Sequence, residues 1–428
     1  MNIDCAGVST HLSYCTNIHA GDAWNDVFPE LKRQLPKIRE AMNHQEPMGI
    51  GLRLSSKSAN SLQDPDTLIQ FKAWLNANNH YVFTLNGFPF GPFHGERIKE
   101  NVYKPDWTED ERLTYTCQLI DVLCELQPPD NYGSISTLPG TYKDWIMPTT
   151  EQRISENLIK AVAHCISREQ TTGVIIALAL EPEPCCMLET VTETVAFFKQ
   201  RLFSKTAIKS LCDQTGLTVA EATVAMRKHI GVCYDVCHSA VEFENPANVI
   251  ARLQSAGIGI IKIQLSSALE IKSVNEASLR HLSRFDEPVY LHQVVEKRGE
   301  EIKRFNDLTA ALASQRYRLE SRSTLAPNLQ MAANQSQSVN TQSVCHPIEE
   351  PKTDWRVHFH VPIFIEETEH FTTTQSSLQQ VLQLQKLSGF CRHLEVETYT
   401  WDVLPEAYRQ QPVSHAIARE LDWVRNKL

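Results

Sequence analysis

Short apolar runs alternate with amphipathic stretches along almost the whole chain. Runs of strand length lie at 11–16, 48–54, 81–85, 134–138, 174–180, 230–234, 258–263, 357–364 and 393–396. That at 174–180 is apolar throughout, the pattern of a strand buried on both faces. Helix signals fill the gaps. A helix is predicted over 23–42, and Asp64-Pro65 reads as an N-cap followed by proline at the first helical position. Thr108-Glu109-Asp110-Glu111, Thr149-Thr150-Glu151-Gln152 and Thr218-Val219-Ala220-Glu221 read as capping boxes. Leu113, Cys117, Ile120 and Cys124 share one helical face. Two helices are expected over 188–228.

Strands joined in sequence by helices pair in parallel, with right-handed crossovers. About nine strands are present where a barrel of this kind needs eight. The expected fold is therefore a single (β/α)8 TIM barrel over 1–428, with one of the last two strands accessory. No aromatic residue lies between Tyr317 and Trp355, and Gln330 to Ser338 is polar and low in complexity. Such composition cannot bury enough surface to offset chain ordering. The stretch 318–352 is expected to be a disordered, mobile insertion within the barrel.

Composition narrows the function classes. The 428 residues carry 42% hydrophobic positions and a net charge of −10. No Lys/Arg run stands out, which argues against nucleic acid as a partner. The start of the chain lacks a signal-peptide pattern, and no run approaches about 18 apolar residues, so no membrane insertion is expected. Twelve cysteines without a CxxC pair read as free thiols of a reducing compartment, placing the protein in the cytoplasm.

The chemistry gathers where apolar strands end. Glu181 closes one strand, Asp235 and His238 follow another, and Glu395 and Glu397 sit on a third. Carboxylates at buried strand ends are costly unless they meet a cation or hydrogen-bond donors, and in a parallel barrel these ends converge on one face. Asp235-x-x-His238 offers an oxygen and a nitrogen to one centre, or only a local hydrogen bond. Glu181 is a metal ligand, or else caps a helix or meets an arginine. Glu183 points to the other side by strand alternation. Glu395 and Glu397 share a face, and the one nearer the rim, Glu397, should reach the site. Gln264 could give a carbonyl oxygen to a hard cation. His358 and His360 lie on one face of a strand, and His292 lies in Tyr290-Leu291-His292. Each of these histidines either serves the site or is packed and satisfied. The aromatic loop Phe88 to Phe93, followed by His94, either lids a pocket or covers the barrel mouth.

In their order along the chain these residues resemble the xylose-isomerase-like TIM-barrel superfamily of sugar isomerases, epimerases and endonuclease IV enzymes. Leu180-Glu181-Pro182, Asp235-x-x-His238 and Val396-Glu397-Thr398 match its motifs after strands five, six and eight. Gln264 stands where the family has a histidine, Leu138-Pro139-Gly140 where it has His-Pro-Gly, and Tyr290-Leu291-His292 where it has Asp-x-His. Those departures weaken a multi-metal nuclease arrangement. The resemblance implies one divalent ion (Mn²⁺, Mg²⁺ or Zn²⁺) on Glu181, Asp235, Gln264 and Glu397, with Glu181 and Glu397 doubling as acid–base residues. His238, Glu183, His292, His358, His360, Glu395, His19 and His94 would orient ligands or contact substrate.

A second resemblance covers nearly the whole chain outside the polar insertion. Leu12 to His19, Thr84 to Pro89, Ser136 to Tyr142 and Trp355 to Pro362 resemble the EboE family of metabolite traffic proteins. It implies export of a biosynthetic precursor beside other proteins of the same operon. The expectation is an isomerase- or epimerase-like enzyme acting on a sugar-like or carbonyl small molecule. The rivals are a non-catalytic metabolite carrier of the same fold and, less favoured, a metal-dependent phosphodiesterase.

Overall fold

A computed structural model describes residues 1–94, 98–318, 352–404, 406, 409 and 411–428. The expected insertion at 318–352 lies almost wholly outside the described residues. Eight parallel strands make up the barrel. They are β1 (Val8–Tyr14), β2 (Met48–Arg53), β3 (His80–Asn86), β4 (Tyr132–Thr137), β5 (Ile175–Leu180), β6 (Ile230–Asp235), β7 (Ile260–Leu265) and β8 (His393–Val396). Each pairs with its successor from β2 to β8, and β8 also pairs with β1 through His393–His11 to Val396–Tyr14. A ninth strand, Asn2–Cys5, runs antiparallel to β1.

The β1–β2 seam closes by side chain more than by backbone. One parallel bridge joins Cys15 to Gly51, the Thr16 hydroxyl accepts from the Arg53 amide at 2.8 Å, and further bonds come from the Ser13 hydroxyl. It donates to the Gly49 carbonyl at 2.9 Å and accepts from the Gly51 amide at 2.9 Å. Gly51 has to be glycine for a second reason. A Cβ there would stand 1.9 Å from the Glu395 carboxylate, which fills the space.

The structure settles which late strand is accessory. β8 closes the barrel, whereas the strand near 357 runs only over Thr353–Val357 and belongs to a second sheet. That antiparallel sheet orders Glu301–Phe305, Val294–Arg298, Thr353–Val357, Leu269–Ile271 and Thr372–Thr373. The apolar run continued to Phe364, but its later residues turn away over the barrel mouth instead of pairing. All of this sheet lies in the excursion between β7 and β8.

Three helices, not two, fill the β5–β6 crossover: Val191–Phe197, Lys205–Thr215 and Val219–His229. Thr190, with Glu193, supplies a capping box that the sequence reading passed over, and the Thr218 box forms. Thr108 does not cap its helix. Asp106 accepts from both its amide and its hydroxyl, so the hydroxyl is spent in the preceding turn. Thr149 likewise gives no cap, and Thr150 instead accepts from the Met147 amide.

Inside the barrel the core is partly polar. Lys262 and Glu395 form an ion pair at 2.6 Å with both side chains fully buried, and the ammonium also reaches the Ser136 hydroxyl. At the rim, Glu420 on helix Val413–Arg425 accepts from the Ile363 amide at 3.1 Å and the Thr398 hydroxyl at 2.7 Å. One carboxyl thereby ties the helix to the two segments that carry His360 and Glu397. Burial pushes the Glu420 carboxyl up to about 7. An acid with a raised folded pKa keeps its proton while the unfolded chain loses one, so stability falls as pH climbs from the unfolded value towards 7. Urea unfolding at stepped pH is expected to show that decline, with about 3 kcal/mol at most from Glu420 beside the shares of the other raised carboxyls. Glu420→Gln should make the slope shallower, and an unchanged slope would refute the assignment.

Candidate metal centre

The strand ends deliver their polar residues to one place. Glu181 follows β5 directly, Asp235 ends β6, Glu397 follows β8, and Asn86 ends β3. Carboxylate oxygens of Glu181, Asp235 and Glu397 lie within 4.8 Å of one another, and all three residues are buried. Asp235 caps the helix Val236–Val241, its Oδ1 accepting from the His238 amide and the Ser266 hydroxyl. Its Oδ2, like Oε2 of Glu181, has no hydrogen-bond partner in the protein. Asn17 and Asn86 donate to Glu397 Oε1 at 2.8 and 3.0 Å. Burial, the neighbouring Glu397 and Asp235 push the Glu181 carboxyl well above the usual range, and burial and Asp235 do the same to Glu397.

Beside this cluster three imidazoles meet. His238 Nε2 and His360 Nε2 each stand 3.1 Å from His358 Nε2. The opposite nitrogens are all committed. His238 Nδ1 faces the Pro182 carbonyl at 3.0 Å, His360 Nδ1 the Glu397 carbonyl at 2.8 Å, and His358 Nδ1 the Gln293 amide oxygen at 2.6 Å. The Gln293 orientation is fixed because its amino group points at three acceptors: the Tyr103 hydroxyl, Glu183 and the Pro184 carbonyl. A carbonyl oxygen only accepts, so each Nδ1 carries the proton and each Nε2 presents a lone pair. Three lone pairs aimed at one another cannot hydrogen-bond. A tetrahedral ion with metal–nitrogen bonds of roughly 2.0–2.1 Å would hold such nitrogens about 3.3 Å apart. Burial drives all three imidazoles toward their neutral, ligating form, His238 to about 4.

Asp235 belongs to both groups, since it also lies within 4.8 Å of His238 and His360. Glu183 flanks the imidazoles, its Oε1 accepting from the Tyr103 hydroxyl at 2.7 Å. Burial pushes its carboxyl up to about 8 despite those donors. Glu181, Glu183, His238, His358 and Glu397 line one cavity, whereas Asp235 and His360 do not reach its lining.

The other sequence candidates stand further off. Gln264 sits within the barrel, where its Oε1 accepts from the Cys233 thiol, and it does not line the cavity. Glu395 is held below by Lys262. His292 spends one nitrogen on the His358 carbonyl and the other on Glu287 at 2.8 Å, so it braces the ligand-bearing segment. His358 and His360, rather than Tyr290-Leu291-His292, therefore stand beside the Asp235–His238 pair. His19 bonds the Tyr14 hydroxyl beneath helix Trp24–Ala41, away from the cavity lining. His94 lies between the Asn17 carbonyl and the Tyr290 hydroxyl, steadying the Asn17 that serves Glu397. Sequence reasoning passed over Asn17, Asn86, Tyr103, Gln293 and Tyr399. The strand-end rule that singled out the acids would have found Asn86. Gln293 and Tyr103 lie in segments without a pattern.

No protein-family model matches the chain, and no curated protein matches it. Among solved structures it is similar to an IOLI protein with a binding zinc atom, at 12% identity over 97% of this chain and 96% of that one, with a TM-score of 0.42. It is similar also to an L-ribulose 3-epimerase, at 15% identity over 60% and 70% and a TM-score of 0.36. A third is an AP endonuclease, family 2, from Brucella melitensis, at 11% over 60% and 78% and a TM-score of 0.33. The fold rests on the strand order above. No described helix is long and apolar enough to cross a membrane.

Removing the acceptor from His358 Nδ1 should loosen any ion held here. Gln293→Leu is expected to lower divalent-metal affinity roughly 10–100-fold. Competition with a chromophoric chelator measures this, and wild-type affinity in the variant would refute the orienting role.

Proposed function

We propose that this protein is a divalent-metal enzyme of isomerase or epimerase type, acting on a small molecule that carries a carbonyl or a hydroxyl pair. The observation that carries the reading is the meeting of three imidazoles beside two carboxylate oxygens, Glu181 Oε2 and Asp235 Oδ2, that lack protein partners. His238, His358, His360 and Asp235 would hold the ion, and such a nitrogen-rich set suits Zn²⁺ better than Mg²⁺. When bound, it supplies a Lewis acid for a substrate oxygen.

The proton work falls to this chain's carboxyls. Glu397, which burial and Asp235 bias toward its protonated form against the amide donors of Asn17 and Asn86, exchanges a proton with the carbon next to the carbonyl. Glu181, which burial and its acidic neighbours keep protonated, returns one. Glu183, Tyr103 and Gln293 hold His358 in register. The resemblance to the EboE family suggests that the substrate is a biosynthetic precursor in transit, handled beside proteins of the same operon.

A second ligand set deserves its own test, because Glu181 Oε2 and Asp235 Oδ2 lack partners. In that arrangement the ion sits on Glu181, Asp235 and Glu397, with Gln264 nearby. Elemental analysis separates the two. A His358→Ala/His360→Ala variant is expected to lose bound zinc while Glu181→Gln keeps it, and the reverse outcome would move the ion to the carboxylates. Unchanged zinc in both would remove the metal reading. Catalysis is tested by exchange of solvent deuterium into a bound α-hydroxyketone. The wild type should exchange and Glu397→Gln should slow exchange at least ~100-fold, whereas a mere carrier would show none.

A further inference from the structure

The cavity above the candidate centre has two chemically distinct halves. Its floor is acidic, with Glu181, Glu183 and Glu397 all lining it. Among the described residues one Lys or Arg side chain lines it, Lys99, and that ammonium is engaged by Asp307 at 2.7 Å and by the Glu287 carbonyl. No Lys or Arg is thus left over to receive a phosphate or carboxylate in the described wall.

The remaining wall is aromatic and aliphatic. Phe93, Tyr290 and Tyr399 interlock, with centroids 5.1 to 5.3 Å apart. Phe88 packs edge-on to Tyr103, and Ile98 and Val102 complete the apolar lining. A fully hydroxylated open-chain sugar offers such a wall little apolar surface to cover. A planar or apolar ring would remove much of it from water and meet ring faces at favourable geometry.

We infer that the cavity takes an uncharged molecule with one oxygenated edge, facing the histidines and carboxyls, and one apolar ring, facing Phe93, Tyr290 and Tyr399. This deepens the proposed function by naming a substrate class, and it rests on that reading only for the oxygenated edge.

Three probes of matched head group test it by calorimetry on the full chain, with and without bound zinc: 2-hydroxyacetophenone, hydroxyacetone and dihydroxyacetone phosphate. The phenyl ketone is expected to bind roughly tenfold or more tighter than the methyl ketone, and the phosphate ester not at all over the same concentration range. Phe93→Ala should cut the phenyl advantage over the methyl ketone several-fold. Equal affinities for phenyl and methyl, tighter binding of the phosphate, or no binding of any probe would overturn the inference. Because the phenyl preference belongs to the wall, it is expected in both zinc states. A failure of zinc uptake would therefore overturn the metal reading alone.

Discussion

Three buried imidazoles, with His358 Nε2 standing 3.1 Å from Nε2 of both His238 and His360, set the terms for everything around them. In isolation each imidazole could turn, or take its proton on the other nitrogen, and relieve the crowding. None has that freedom here, because an obligate acceptor faces every Nδ1. Two of those acceptors are backbone carbonyls, of Pro182 and Glu397, each next to a residue of the carboxylate cluster. The backbone after β5 and β8 therefore does two tasks, presenting Glu181 and Glu397 and locking the tautomers of His238 and His360. A cation would satisfy both these imidazole lone pairs and the partnerless carboxylate oxygens of Glu181 and Asp235.

The same logic explains the polar interior beneath. A barrel mouth crowded with buried carboxyls needs positive charge close by, and Lys262 lies one layer down, lowering the cost of charge on both Glu181 and Glu397. It is matched by its own partner, Glu395, so the interior pair adds no net charge while its ammonium faces the acids above. Gly51 makes the space for Glu395, and Ser13 repairs the seam at which that space opens. Breaking either member of such a pair would leave an uncompensated buried charge, costing roughly 3–5 kcal/mol.

How much of this could be read from sequence follows from what each feature depends on. The eight barrel strands were legible because strands buried on both faces must be apolar, and helices between them force parallel order. The acids were legible because a carboxylate at the end of an apolar run is expensive unless it has a use. The excursion between β7 and β8 was not. Its apolar run through Val357 belongs to a half-covered antiparallel sheet, and nothing local marks where pairing stops and His358-x-His360 crosses the mouth. Gln293 was invisible for a related reason, since its role is set by a neighbouring strand register, Val294–Val357, and not by any spacing along its own segment.

That excursion also decides what kind of site the barrel becomes. The barrel by itself offers oxygen donors at its strand ends, with an amide, Gln264, turned to a thiol below. Nitrogen donors arrive when the second sheet places His358 and His360 against His238, and the segment is braced from behind by His292 and from the rim by Glu420. A hard, oxygen-lined pocket is thereby turned toward an ion that accepts imidazole. Aromatic residues from the β3 loop, the excursion and the segment after β8 close over it. The excursion and the segment after β8 thus bring both the aromatic lining and the candidate ligands to one mouth.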